Sequence, residues 1–156
     1  MSFTQENEQL TQHSSQSLNP LDIAIEVMTR KDKFWVDTNC CIAADEVYHR
    51  LYGYSIMSGA TKAFGKGLRS VDRVVSSGGF LEVFTNYLVS QGFYQTSNPS
   101  VGDFGLIECR SCPLGYYATI CVDENLWAAK TKDGILFHRG KPFVAMSNPD
   151  KRLGSK

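Results

Sequence analysis

Apolar positions along this chain fall into two regimes. From Asn19 to Gly92 they recur at three- and four-residue spacing, and from Val101 to Met146 they come in short β-rich runs divided by turn signals. Asn19-Pro20 supplies an N-cap and a first helical residue, and the stripe Leu21, Ala24, Ile25, Met28 predicts a helix ending near Arg30. Phe34-Trp35-Val36 is a short apolar ridge. Asn39 then caps a second helix, in which Cys40, Ala43, Ala44, Val47 and Leu51 face one way and Gly53 is the stop. Gly59, Gly65 and Gly67 weaken any long helix after it. A third helix is predicted over 68–76, with Leu68, Val71, Val74 and Val75 inward and Gly78-Gly79 ending it. A fourth covers 80–91, with Phe80, Leu81, Phe84 and Leu88 on one side and Gly92 as its stop.

The second regime predicts strands over 104–109, 116–122, 126–131, 135–139 and 143–146. The turns between the later strands are Asp123-Glu124-Asn125, Lys132-Asp133-Gly134 and Gly140-Lys141-Pro142. This reads as a meander of about five antiparallel strands. A helical half followed by a strand half gives an α+β class, with the inner face of the sheet covered by the Cys40 helix. Residues 1–18 are rich in Gln, Ser, Thr and Asn and nearly devoid of apolar side chains, so they are expected to form a flexible arm ordered only by a partner. The domain occupies 19–147, and 148–156 reads as a loose polar tail.

Composition narrows the possibilities. A chain of 156 residues with 42% hydrophobic content makes one domain with a real core. Its formal net charge of zero leaves no basic excess for nucleic acid or an anionic membrane surface. No apolar run approaches the roughly 20 residues of a membrane span, and the start is too polar for a secretory signal, so folding in a cytoplasm is expected. Five cysteines, an odd number with two adjacent, do not resemble a secreted disulfide framework, and reduced thiols are expected. No cofactor is expected.

Three groups of residues carry candidate chemistry. Cys40 lies in the first turn of its helix, where unpaired N–H groups and the positive dipole end favour a thiolate; the plainer reading makes Cys40 and Cys41 small core residues. Cys109-Arg110-Ser111-Cys112 has the spacing of a zinc knuckle or a redox pair, but no second matched pair of ligands accompanies it, and a tight hairpin with incidental thiols is the simpler account. Tyr52, Tyr54, Tyr87, Phe93, Tyr94, Tyr116 and Tyr117 could line a sugar or peptide cleft, or pack as core.

The segment Asn39-Cys40-Cys41-Ile42-Ala43-Ala44-Asp45, the helix end Leu51-Tyr52-Gly53 and the strand head Val101-Gly102-Asp103-Phe104 together resemble the NlpC-type papain-like cysteine peptidases. The resemblance is closer to a phage-encoded NlpC-like family of undefined function met near tail genes, and it covers residues 20–147. It implies that Cys40 stands at the nucleophile's place, that a histidine belongs near Tyr116 or Tyr117, and that an orienting polar residue belongs near Trp127 to Ala129. Neither tyrosine nor alanine can take a thiol proton at neutral pH. Tyr116, Tyr117 and Trp127 are the expected cleft residues. His49 is about 13 Å along the helix at 1.5 Å per residue, His13 is in the arm, and His138 is a weak substitute base two strands away. Asp45 reads as a surface helix charge, and Asp103 as the residue that caps or turns the chain into its first strand.

The resemblance implies a phage virion or tail-associated structural protein, made in the host cytoplasm, on a degenerate fold without peptidase activity. Its partners would be other phage structural proteins, reached through the arm. One alternative is an active cysteine hydrolase of peptidoglycan peptides using Cys40, with His138 or another group as base. The other is a small cytoplasmic ligand-binding module.

Overall fold

A computed structural model of the protein describes residues 19–150. Five helices, α1 (Pro20–Met28), α2 (Cys40–Tyr52), α3 (Ser58–Phe64), α4 (Arg69–Ser76) and α5 (Phe80–Ser90), precede the strands. These are β1 (Tyr94–Gln95), β2 (Phe104–Glu108), β3 (Tyr116–Asp123), β4 (Leu126–Thr131), β5 (Gly134–Arg139) and β6 (Val144–Ser147). The class is therefore α+β, with the helical half first. The arm and most of the polar tail, 1–18 and 151–156, lie outside the described residues.

Local chemistry sets the main helix boundaries. Asn19 Oδ1 accepts the N–H groups of Leu21 at 3.0 Å and Asp22 at 3.3 Å, with Pro20 at the first helical position. Asn39 Oδ1 accepts the Ile42 N–H at 3.0 Å, and Gly53 ends α2 in the left-handed region at φ +89°. The helix at Ser58–Phe64 is a departure from the sequence pattern, in which glycines argue against a long helix; it is short and buries none of its residues. In α4 only Ser70 and Val74 are buried, whereas Leu68 and Val75 are 61% and 58% exposed, because this short helix touches α3 and α5 along one edge. Ile25 of α1 is likewise exposed, its place on the inner face taken by Val27.

One antiparallel sheet has the order β1-β6-β2-β3-β4-β5. Strands β2 to β5 form the expected meander, but β6 returns across the sheet to pair with β2, setting Val144 opposite Leu106 and Met146 opposite Phe104. The two-residue β1 then pairs with β6, so the sheet has six strands and not five.

Helix α2 packs on β3 and β4, and α1 packs on α2. Phe104, Leu106, Ala118, Ile120, Ala128 and Met146 form the inner sheet face beneath the α2 side chains Ala43, Ala44, Val47 and Leu51. Cys121, Trp127 and Ala145 form a separate cluster on the other face. A side chain at Gly105 would meet the Trp127 ring at 2.8 Å and the Val144 carbonyl at 2.9 Å, so the tryptophan occupies the space that glycine leaves.

Buried polar groups tie the layers together. Lys130, 2% exposed, reaches from β4 to the end of α1 and donates to the carbonyls of Met28 at 3.2 Å and Arg30 at 2.8 Å. The ammonium thus satisfies carbonyls that a helix end leaves open, at the negative end of the dipole. Beyond β6, Asn148 is buried and donates to the hydroxyls of Tyr48 and Tyr54 at 3.2 Å each, so the first residue of the expected tail belongs to the core. Among the described residues no helix is long and apolar enough to cross a membrane.

Candidate functional site

The first turn of α2 is held from both sides. Asn39 caps the helix with its carbonyl oxygen and donates from Nδ2 to the Lys66 carbonyl at 3.3 Å, anchoring the helix start to the loop before α4. Cys40 follows at 5% exposure, pointing at the sheet, and its Sγ accepts the Ala118 N–H of β3 at 3.3 Å. The neighbouring Cys41 thiol, the Ala118 amide and the first N–H groups of the helix hold the Cys40 thiol below its ordinary pKa, against the opposing effect of burial. Cys41 moves the other way, well above the ordinary thiol, because Cys40 and burial both favour its protonated form.

The start of β3 does meet Cys40, and it carries Tyr116, Tyr117 and Ala118 there. Burial raises the Tyr117 phenol, with further contributions from negative charge at Cys40 and Asp133. Neither tyrosine is a base at neutral pH. The other expected members lie elsewhere. Trp127 is fully buried on the face of the sheet away from α2, so it is not a cleft residue. Strand alternation is the reason: Ala128 points to α2, and its neighbour points away. His138 is the cross-strand partner of Trp127 and shares that far face, where its Nε2 lies 3.0 Å from the Lys141 carbonyl; the sheet separates it from Cys40. His49 is exposed in the last turn of α2, and His13 lies outside the described residues.

Asp45 is no surface charge. It is buried, and its carboxylate accepts the Ser55 hydroxyl at 2.5 Å and the N–H groups of Ile56 at 2.7 Å and Met57 at 3.0 Å. It fixes the connection from α2 to α3. Asp103 accepts the Ser100 N–H at 2.8 Å and turns the chain into β2, as expected.

The aromatic group divides. Tyr52, Tyr54 and Phe93 join Tyr48 and Phe104 in a packed knot at the end of α2, in which the rings of Tyr48 and Phe104 stack at 5.1 Å. Tyr87 donates to the Ile56 carbonyl at 2.8 Å, and Tyr94 is exposed. Tyr116 and Tyr117 alone of the seven face an open cleft of about 360 Å³, with Phe34, Trp35, Leu114 and Lys132 as further walls. A second cavity of about 70 Å³ opens beside Asn39 and Cys41, walled by apolar side chains of α3, α4 and α5. Cys40 borders neither of these two cavities.

Cys109 and Cys112 are joined by a disulfide, which corrects the expectation of reduced thiols and removes these residues as zinc ligands. The Cys112 N–H donates to the Cys109 carbonyl at 3.1 Å, a turn that brings the two Cα atoms to 5.4 Å, within disulfide reach. Cys40, Cys41 and Cys121 form no disulfide among the described residues. Among the described residues no group of three or more His, Cys, Asp and Glu side chains could hold a metal ion. Sequence reasoning also missed Trp35 as a cavity wall, because nothing in Lys33-Phe34-Trp35-Val36 marks its backbone conformation.

Compared with known proteins, the chain matches no family model, no curated protein and no solved structure.

Proposed function

We propose that this chain is a non-catalytic protein on a degenerate NlpC-like fold, acting as a virion or tail-associated component of a bacteriophage. The observation that carries the non-catalytic half is the state of Cys40. Its thiol has the helix N-terminus and the amide donors that stabilise a thiolate, but it is 5% exposed and borders neither cleft. Cysteine hydrolysis needs a nucleophile in contact with substrate and a base to move its proton. Here β3 presents two phenols and an alanine in place of an imidazole. The phage half rests on the resemblance of the 39–45 helix start and the Gly102-Asp103 strand head, and on the polar composition of residues 1–18, which suits a segment that orders against a large partner.

The test is alkylation of Cys40 by iodoacetamide from about pH 6 to about pH 10, read by mass, alongside hydrolysis of peptidoglycan peptides and a Cys40→Ser control. The expected result is slow labelling that accelerates only in denaturant, with no hydrolysis. For the assembly half, particles made with a chain lacking residues 1–18 should exclude the protein. The lowered Cys40 pKa favours the second reading, an active hydrolase. Rapid native labelling together with hydrolysis lost in Cys40→Ser would establish that reading and sink the first.

A further inference from the structure

We infer that the two cavities beside the α2 start are one bipartite site for a small aliphatic carboxylate, with Trp35 as the residue that divides it. This goes beyond the reading above, since Cys40 borders neither cavity and the site needs no assembly partner. Trp35 and Leu114 border both spaces, so these two residues stand where the cavities adjoin.

The backbone holds that indole in place at a cost. Trp35 has φ +66°, the left-handed region that bulky side chains rarely adopt. The loop around it is over-determined. The Trp35 N–H donates to the Thr38 carbonyl at 2.7 Å, and the Lys33 carbonyl accepts from Val36, Asp37 and Thr38 at 3.1, 2.8 and 3.3 Å. A Cβ at Gly67 would lie 3.2 Å from the Trp35 carbonyl, a tight contact, and the Phe34 ring abuts the indole edge-on at 5.2 Å. Strained residues fixed by their surroundings cluster at ligand clamps.

The two chambers select different chemistry. Phe64, Val74, Phe84 and Leu88 wall the smaller one, whose 70 Å³ is about half the engineered cavity of about 150 Å³ that holds benzene. It therefore takes an aliphatic end of about three carbons. The larger chamber offers the tyrosine and phenylalanine faces and one cation, Lys132, which makes no ion pair among the described residues. Asp133 follows it in the turn, and its charge reaches Tyr117, but it is not on the wall. A carboxylate is the complement to Lys132, and a short alkyl group is the complement to the mainly apolar small chamber.

The experiment titrates the unmodified full chain with the acids from acetate to hexanoate and follows the two indole N–H resonances, Trp35 and Trp127, by proton–nitrogen NMR. Trp127 is fully buried on the far face and serves as the internal reference. The Trp35 signal should shift saturably while Trp127 stays, with affinity rising about fourfold per added methylene until the small chamber is full. Hexan-1-ol and hexylamine should bind about fivefold more weakly, and Lys132→Met should bring hexanoate down to the level of the alcohol. Ala60→Leu, which fills the small chamber from the half-buried side of α3, should remove the chain-length dependence without altering the response to acetate. No saturable Trp35 shift, equal movement of both indoles, or equal binding of hexylamine and hexanoate would overturn the proposal. Because the chain-length and headgroup series use the unmodified protein, their outcome does not depend on any variant folding.

Discussion

Removal of the Asp45 carboxylate should show how the α2 to α3 connection is built. The side chain is buried in α2 and satisfies two backbone N–H groups, those of Ile56 and Met57, which themselves lie in buried residues. Asp45→Ala strands both. Each orphaned buried donor costs about 1–3 kcal/mol, so the variant should lose about 2–6 kcal/mol, while the exposed Ser55 hydroxyl turns to water and adds little. Asp45→Asn keeps an acceptor oxygen where both amides converge, and should lose only about 1 kcal/mol. Urea denaturation separates these outcomes: with a slope of about 2 kcal/mol/M, the alanine midpoint should fall by about 1–3 M and the asparagine midpoint by much less. Hydrogen exchange at Ile56 and Met57 should accelerate in the alanine variant alone. An alanine variant within about 0.5 kcal/mol of the unmodified protein, or an asparagine variant as damaged as the alanine one, would refute the assignment of Asp45 as an internal cap.

Lys130→Met removes a buried cation, which alone can be favourable, but it leaves the Met28 and Arg30 carbonyls without their donor; the carbonyls decide the sign, and a loss of about 1–3 kcal/mol is expected in the same denaturation assay. The paired change Cys109→Ser and Cys112→Ser opens a loop of four residues and should cost about 2 kcal/mol by chain entropy, read as a lower melting temperature that matches the unmodified protein under a reducing dithiol. Burial, aided by the Asp103 charge, raises the Tyr52 phenol to about 12. A raised folded-state pKa contributes stability that is complete below about pH 10 and lost as pH climbs toward about 12, so Tyr52→Phe should flatten part of the alkaline stability loss. Tyr48, raised by burial and by Tyr54, contributes to the same decline and keeps the slope from vanishing in that variant.

Caps and turns are legible in the chain because their partners are local. Asn19-Pro20, Asn39, Gly53 and Gly78-Gly79 each act on backbone groups within a few residues, so the boundaries of α1, α2 and α4 can be read directly. Residues whose partners are distant are easily misread. Asp45 looks like any helix-surface carboxylate until Ile56 and Met57 are folded under it, and Lys130 looks like a strand charge until the end of α1 lies above it. Face assignment fails on β4 for a related reason: Leu126-Trp127-Ala128-Ala129-Lys130-Thr131 has no clean alternation, so pleat alone does not say whether Trp127 or Ala128 looks toward α2. The return of β6 to β2 leaves no mark in the chain at all, since it is settled by pairing across strands far apart in sequence.

The same division explains the candidate site. The acidity of Cys40 comes first from the neighbouring Cys41 thiol and then from the Ala118 amide and the first N–H groups of α2, against the effect of burial; of these, the Cys41 neighbour and the helix start are visible in the sequence. An acidic thiol is only half of a nucleophile. Access and a base must come from other elements, and here those elements are β3, which closes over the sulfur with the Ala118 amide, and the 34–38 loop, which directs Trp35 toward the neighbouring cavities. The amide that stabilises the thiolate is thus also the group that covers it. A thiol arranged in this way gains part of its acidity from a contact that also buries it, and the open volume lies beside it, on the Tyr117 and Cys41 sides.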